Sequence, residues 1–315
     1  MSTIRVSDIS HVRFTAPDLE EMRAFLVEFG LKPTLSPDGV LYARGAGGSP
    51  FVHATAQGAP SFAALGLRAE SISDLEVLAK AEDVEVEALH APGGGRVVRL
   101  TDPDGRLIEV VAGQTPLDPL PLEAETPRNS AASGRPRLRA SVRLAAGPAT
   151  VVRLGHCVLE VSDFRKVEAW YKSRFGFITS DEIEMAPGVA IGAFLRCDQG
   201  DTPTDHHTLF LLQSPRGPSF NHAAFEVADM DDLMRGHAHL RRAGREAAWG
   251  VGRHILGSQI FDYWKDPWGH ELEHWTDGDL FTVADGSHKK TMADLLGVQW
   301  GPSHPMVAGA VGGQS

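Results

Sequence analysis

The chain has little cysteine, little tyrosine and no long apolar run, and these shortages close off several classes of protein. Two cysteines in 315 residues, Cys157 and Cys197, are too few for a disulfide framework. A reducing setting is expected, and thiolate ligation of a metal is not. No stretch approaches the roughly 18 to 20 continuous apolar residues of a membrane-spanning helix. The start, Met-Ser-Thr-Ile-Arg-Val-Ser-Asp, lacks an apolar signal region, so the expected compartment is the cytoplasm. Basic residues are the minority: 30 Lys and Arg against 41 Asp and Glu leave a formal charge of −11. That balance argues against nucleic acid as a partner, which would favour a basic face. What the chain does have is 33 glycines and 20 prolines, which favour many turns and short strands over a helical bundle. Its length suits two ordinary domains.

The chain also repeats itself. Ile9-Ser-His-Val-Arg-Phe-Thr-Ala-Pro-Asp parallels Leu154-Gly-His-Cys-Val-Leu-Glu-Val-Ser-Asp. Each is a strand followed by an aspartate placed to cap a helix. Apolar residues then recur at helical spacing: Leu19, Met22, Leu26 and Phe29 in one copy, Phe164, Val167, Tyr171 and Phe175 in the other. Both runs stop at Phe-Gly. Further on, Pro60-Ser-Phe-Ala-Ala parallels Pro218-Ser-Phe-Asn-His, and Asp102-Pro-Asp-Gly parallels Asp266-Pro-Trp-Gly. The expected architecture is α+β, with two domains each built from a pair of βαβββ modules closing into an open barrel. The expected boundaries are 1–113 for the first domain, 114–150 for a linker, 151–278 for the second domain and 279–315 for a tail. In that tail the pattern predicts one helix, Thr291 to Leu296, and a disordered end from Val307 to Ser315.

Three residues of the second copy stand out. His156, His222 and Glu273 each fall inside an alternating apolar segment that reads as a strand. Side chains alternate between faces along a strand, so all three can point into one cup. Two imidazoles and a carboxylate can hold a divalent iron on one side and leave positions open for other ligands. In the first copy the matching residues are His11, Ala64 and Glu109, so the second histidine is missing there.

The segment Gly252-Arg-His254, then Tyr263, then Asp266-Pro-Trp-Gly-His-Glu-Leu-Glu273 resembles the signature of the type I extradiol ring-cleaving dioxygenases, in the vicinal oxygen chelate superfamily. The resemblance covers roughly Ile9 to Gly278. It implies His156, His222 and Glu273 as ligands of Fe(II), with Mn(II) as a substitute. It implies His207, the second of the pair His206-His207, together with His254 and Tyr263, as acid–base residues. The implied reaction inserts both atoms of O₂ into a catechol, cleaving the ring beside the diol. A substituted catechol or polyhydroxylated ring is the implied partner, with homo-oligomers common among relatives. One stretch departs from the family. Many relatives carry Asn or Asp soon after the histidine of Gly-Arg-His, where this chain has Ile255-Leu-Gly-Ser-Gln, which points to a different preferred substrate. Two other readings stay open on the same fold: a hydroxyphenylpyruvate dioxygenase-like oxygenase, and a non-catalytic binder of small molecules.

Other motifs are expected to be structural. His237 and His239 are two apart on a predicted helix and point away from each other. His270 and His274 flank Glu273 at offsets that face them away from the cup, and Cys157 likewise faces the opposite layer. Asp231-Asp232 and Asp83-Val-Glu-Val-Glu read as helix starts or solvated faces. His11 and Glu109 read as remnants of a module without a metal.

Overall fold

The computed structural model describes residues 2–123, 127–132 and 134–305. It contains two mixed sheets with the same strand order. The first has eight strands, running Lys32–Leu35, Leu41–Arg44, His53–Gln57, Val6–Ala16, Ser61–Ala69, Leu107–Ala112, Arg96–Thr101, Glu87–Ala88. The second repeats that order as Ile178–Ala186, Val189–Arg196, Leu209–Gln213, Val151–Val161, Ser219–Val227, Glu271–Thr276, Ile260–Lys265, Ala247–His254. In each, two long central strands pair antiparallel and join the two modules.

The four helices of the modules follow from their local chemistry. In Leu19–Phe29 the Asp18 carboxylate accepts from the Glu20 and Glu21 amides, and in Phe164–Phe175 Asp163 accepts from the Lys166 amide. Both helices end at a glycine in the left-handed region, Gly30 (φ 100°) and Gly176 (φ 73°). Gly30 is doubly constrained, because a β-carbon there would run into the Ala149 carbonyl. Helices Ile72–Glu82 and Met230–Arg242 occupy the matching places in the other two modules. Their inward side chains Leu75, Leu78, Leu233 and Leu240 are fully buried. One apolar core, from Ile4 to Leu272, runs through both copies.

The segment after Gly278 does more than trail from the domain. Strand His288–Thr291 pairs parallel with Ile178–Ala186 on one edge of the second sheet. Val298–Trp300 pairs antiparallel with Ala247–His254 on the other edge. This one segment thus covers both edges, giving ten strands and leaving neither original edge as a free template. Between them lies the helix Met292–Leu296, capped by Thr291. The end expected to be disordered, Val307–Ser315, lies outside the described residues. No helix among the described residues is long and apolar enough to cross a membrane.

Candidate metal centre

Strand register brings the site together. His156 pairs with Ala224, Ala224 with Glu273, and Glu273 with Tyr263, which makes one row across four strands. Residues in a row share a face, and His222, two before Ala224, shares it as well. Ala224 is the small member of the row, so the flanking side chains can converge over it.

The His156 and His222 Nε2 atoms lie 3.2 and 3.3 Å from Glu273 Oε2, and the three candidate ligand atoms fall within 4.8 Å of one another. All three residues are buried, and neither Glu273 oxygen has a hydrogen-bond partner among the described residues. An orphaned buried carboxylate is costly unless something else compensates it. Ligand atoms about 3 Å apart are what bonds of about 2.1 Å at near right angles require. The donor set therefore fits a divalent cation with open positions, as expected for two imidazoles and one carboxylate.

Protonation states agree with that fit. Burial alone would raise the Glu273 carboxyl, but the surrounding His156, His222 and His254 outweigh it and hold it well below the usual range. Burial pushes His156 down, more than the adjacent Glu273 carboxylate pushes it up. A neutral imidazole and an ionised carboxylate are the forms that bind metals.

His207, His254 and Tyr263, named on the sequence, surround this row. The His207 ring lies 4.0 Å from that of His156, centroid to centroid. Burial, then the neighbouring His156 and His206, drive its pKa well below the usual imidazole value. His254 Nε2 is 3.1 Å from the Tyr263 hydroxyl and 3.8 Å from Glu273 Oε1. Burial and the Glu273 charge push the Tyr263 phenol well above its ordinary value. All of these except Glu273 line a cavity of about 490 Å³, within the usual range for small-molecule sites. Much of its wall is apolar, with Ile191, Phe194, Phe210, Leu256, Met292 and Leu295, while Glu160 and Arg216 also line it.

The side chains set aside on the sequence point elsewhere. His237 Nδ1 contacts the Asp262 carboxylate at 3.1 Å, and His270 Nδ1 contacts Asp266 Oδ2 at 2.8 Å. His274 Nε2–H donates to the Phe29 carbonyl. Cys157 packs in the core beneath the helices.

Other residues of the cavity were not singled out on the sequence. Trp249 lies against His254 and Tyr263, and Met292, Leu295, Leu296 and His304 reach the cavity from the tail. The apolar spacing of Met292, Leu295 and Leu296 beside a Thr cap was the available signal, but it could not reveal what that helix covers. Buried Gln259 also lines the cavity, and it lies in the stretch that departs from the family pattern.

The first copy shows the same row with the chemistry removed. His11, Gly66, Glu109 and Arg99 stand in register, as His156, Ala224, Glu273 and Tyr263 do. By matching register, Ala64 replaces His222, Phe51 replaces His207 and Leu89 replaces His254. His11 Nε2 closes to 2.8 Å from Glu109 across Gly66, where a β-carbon would strike the His11 ring. Arg13 and Arg99 complete the neutralisation, at 2.6 and 3.0 Å. Burial notwithstanding, His11 and Arg13 hold the Glu109 carboxyl well below its usual range. A carboxylate paired in this way has no need of a metal.

Residues 153–274 match the family model described as Glyoxalase/Bleomycin resistance protein/Dioxygenase superfamily. Metapyrocatechase 2 of Cupriavidus necator is 33% identical over 207 residues, which are 65% of this chain and 60% of that protein. The chain thus spans less than two thirds of that relative's length. The structure of a Mn(II)-bound glyoxalase from Novosphingobium aromaticivorans is similar, with a TM-score of 0.77 and 25% identity over 96% of this chain and 93% of that one. Homoprotocatechuate 2,3-dioxygenase from Arthrobacter globiformis has the same fold, with a TM-score of 0.74 at 21% identity over 93% and 87% of the two chains. The sequence match over residues 153–274, the duplicated sheets and the row of histidine and glutamate all liken the chain to the Glyoxalase/Bleomycin resistance protein/Dioxygenase superfamily.

Proposed function

We propose that the protein is an extradiol ring-cleaving dioxygenase acting on a catechol with an apolar substituent, with His156, His222 and Glu273 holding Fe(II) or, in its place, Mn(II). The observation that carries this reading is the grouping of three acid–base side chains, His207, His254 and Tyr263, around one potential metal row at the polar end of an apolar cavity. A binding module has no need of that grouping. Its loss in the first copy, at Phe51, Leu89 and Arg99 together, fits a set that works as a unit.

A bound divalent metal would supply a Lewis acid for the diol and a redox centre for O₂. The chain's own groups do the rest. Tyr263 and His254, in contact with each other at 3.1 Å, stand where a diol hydroxyl would give up its proton, and the pair can take it. His207 stands on the His156 side and can hold a proton there for later return. Phe194 and Phe210, stacked at 4.0 Å, give the ring and its substituent an apolar wall and keep water out. Gln259 offers a buried amide at the cavity wall.

The test is O₂ consumption by anaerobically purified, Fe(II)-loaded protein with a panel of 3- and 4-substituted catechols. Uptake of O₂ with formation of a yellow ring-opened product is expected, faster for apolar than for carboxylate-bearing substituents. Iron bound without O₂ uptake across the panel overturns the reading. Turnover of a 2-oxo acid or a hemithioacetal in its place would favour the oxo-acid oxygenase or the glyoxalase activity.

A further inference from the structure

Behind His207 lies a buried pair that the ring-cleavage reading does not use. His206 Nδ1 is 3.1 Å from His207 Nδ1, and His206 Nε2 is 2.9 Å from Asp181 Oδ2. All three side chains are buried, and of the three only His207 lines the cavity. His206 is held from several sides. Its ring packs against Phe194 and Phe281, its amide donates to the Asp279 carbonyl, and its carbonyl accepts from Ser180 Oγ. His288, more than half exposed, reaches to 3.8 Å from the other Asp181 oxygen. The first copy has Pro50-Phe51 where this one has His206-His207, so the chain of contacts belongs to the second copy.

The direction of each hydrogen bond follows from what the atoms can do. A carboxylate only accepts, so His206 donates to Asp181 from Nε2–H. With one proton on each ring, His206 has a lone pair at Nδ1 and accepts the Nδ1–H of His207. That leaves His207 with an unprotonated Nε2, its one remaining nitrogen, for the cavity. We propose that Asp181 and His206 are positioning residues that fix the tautomer and ring orientation of His207, so that it meets the substrate as a proton acceptor. The inference rests on the ring-cleavage reading only for its kinetic consequence. Under it, His207 first takes at Nε2 a proton released by the diol, and then holds the proton that it later returns. The second hydroxyl proton goes to the Tyr263–His254 pair, so the two protons have separate destinations.

Replacing the carboxylate of such a pair with an amide keeps the shape but permits the wrong tautomer. Asp181→Asn lets the amide donate to His206 Nε2. His206 then carries Nδ1–H, which turns the hydrogen bond to His207 around and leaves His207 with Nε2–H facing the cavity. The direct test is ¹⁵N NMR of histidine-labelled protein loaded with Zn(II) as a diamagnetic probe. The wild type is expected to show His207 with a protonated Nδ1 and a bare Nε2, and Asp181→Asn the reverse. A protonated Nε2 on His207 in the wild type overturns the proposal, whatever the activity. The kinetic test compares Fe(II)-loaded wild type, Asp181→Asn and Asp181→Glu at equal metal content. Asp181→Asn is expected to lower kcat by about 10²-fold or more with KM nearly unchanged, and Asp181→Glu to recover most of it. Equal kcat in all three also overturns the proposal. A wild type that takes up no O₂ with any catechol defeats the ring-cleavage reading instead, and leaves the NMR result to decide the tautomer.

Discussion

Tyr263 and Arg99 occupy the same place in the two sheets: Tyr263 pairs with Glu273 in the second copy as Arg99 pairs with Glu109 in the first. One carboxylate faces a phenol and has no hydrogen-bond partner among the described residues, whereas the other receives a guanidinium. The two glutamates are thus equivalent in fold and opposite in chemistry. Glu273→Gln is expected to lose stoichiometric Fe(II) or Mn(II) on gel filtration with metal analysis, and Glu109→Gln to retain it. Equal metal loss in both would show that the first copy takes part in binding.

Metal loading should also register as stability. A cation that binds only the folded state at about 100 times its Kd stabilises it by about 2.7 kcal/mol. For the wild type, the thermal unfolding midpoint should rise with Mn(II) and fall back with a chelator. The midpoint of His222→Ala should not respond, since one of its three ligands is gone.

Tyr263→Phe removes the hydroxyl that contacts His254 and preserves the ring against Trp249. Turnover is expected to fall about 10²-fold, the ordinary scale for one acid–base group, with metal content unchanged. An undiminished kcat would leave proton removal to His254 alone.

A pH effect on folding should arise far from the metal row, at His53. Burial, only partly opposed by the Asp266 charge, pushes its pKa down to about 4 from an ordinary 6.5. The ring is fully buried and stacked on Phe14, and its Nε2 has no hydrogen-bond partner among the described residues. Between those two pH values the unfolded chain binds a proton that the folded protein refuses. The contribution is therefore complete above about pH 6.5 and is lost as pH falls toward 4, by roughly 3 kcal/mol. Urea midpoints measured over that range should fall less steeply in His53→Phe than in the wild type. Parallel curves would mean that His53 does not titrate there.

Much of this protein could be read before its fold was known, because its information is carried by repeats. Matching Pro60-Ser-Phe-Ala-Ala with Pro218-Ser-Phe-Asn-His placed Ala64 against His222, and the strand register makes the same match. Period-two alternation separated His156 from Cys157 and Glu273 from His274, since neighbours on a strand take opposite faces. Contacts between segments far apart in sequence were not legible. Nothing local to Asp181 marks it as a partner of His206, and nothing in Lys289-Lys290 announces an edge strand. The role of Arg13 and Arg99 was hidden for the same reason: a guanidinium replaces a metal only once the sheet has brought it to Glu109.

The hydrogen bond from His274 to the Phe29 carbonyl gives the first copy a present-day task. His274 directly follows Glu273, and its ring also stacks on Phe29 at 3.9 Å. The backbone that aims the candidate metal carboxylate is therefore moored, one residue along, to the end of a helix in the half that lacks the second histidine. Such a half is not idle ballast left by duplication. It works as a jig, and mutations in the turn around Phe29 and Gly30 would be felt as misalignment at a centre in the other sheet.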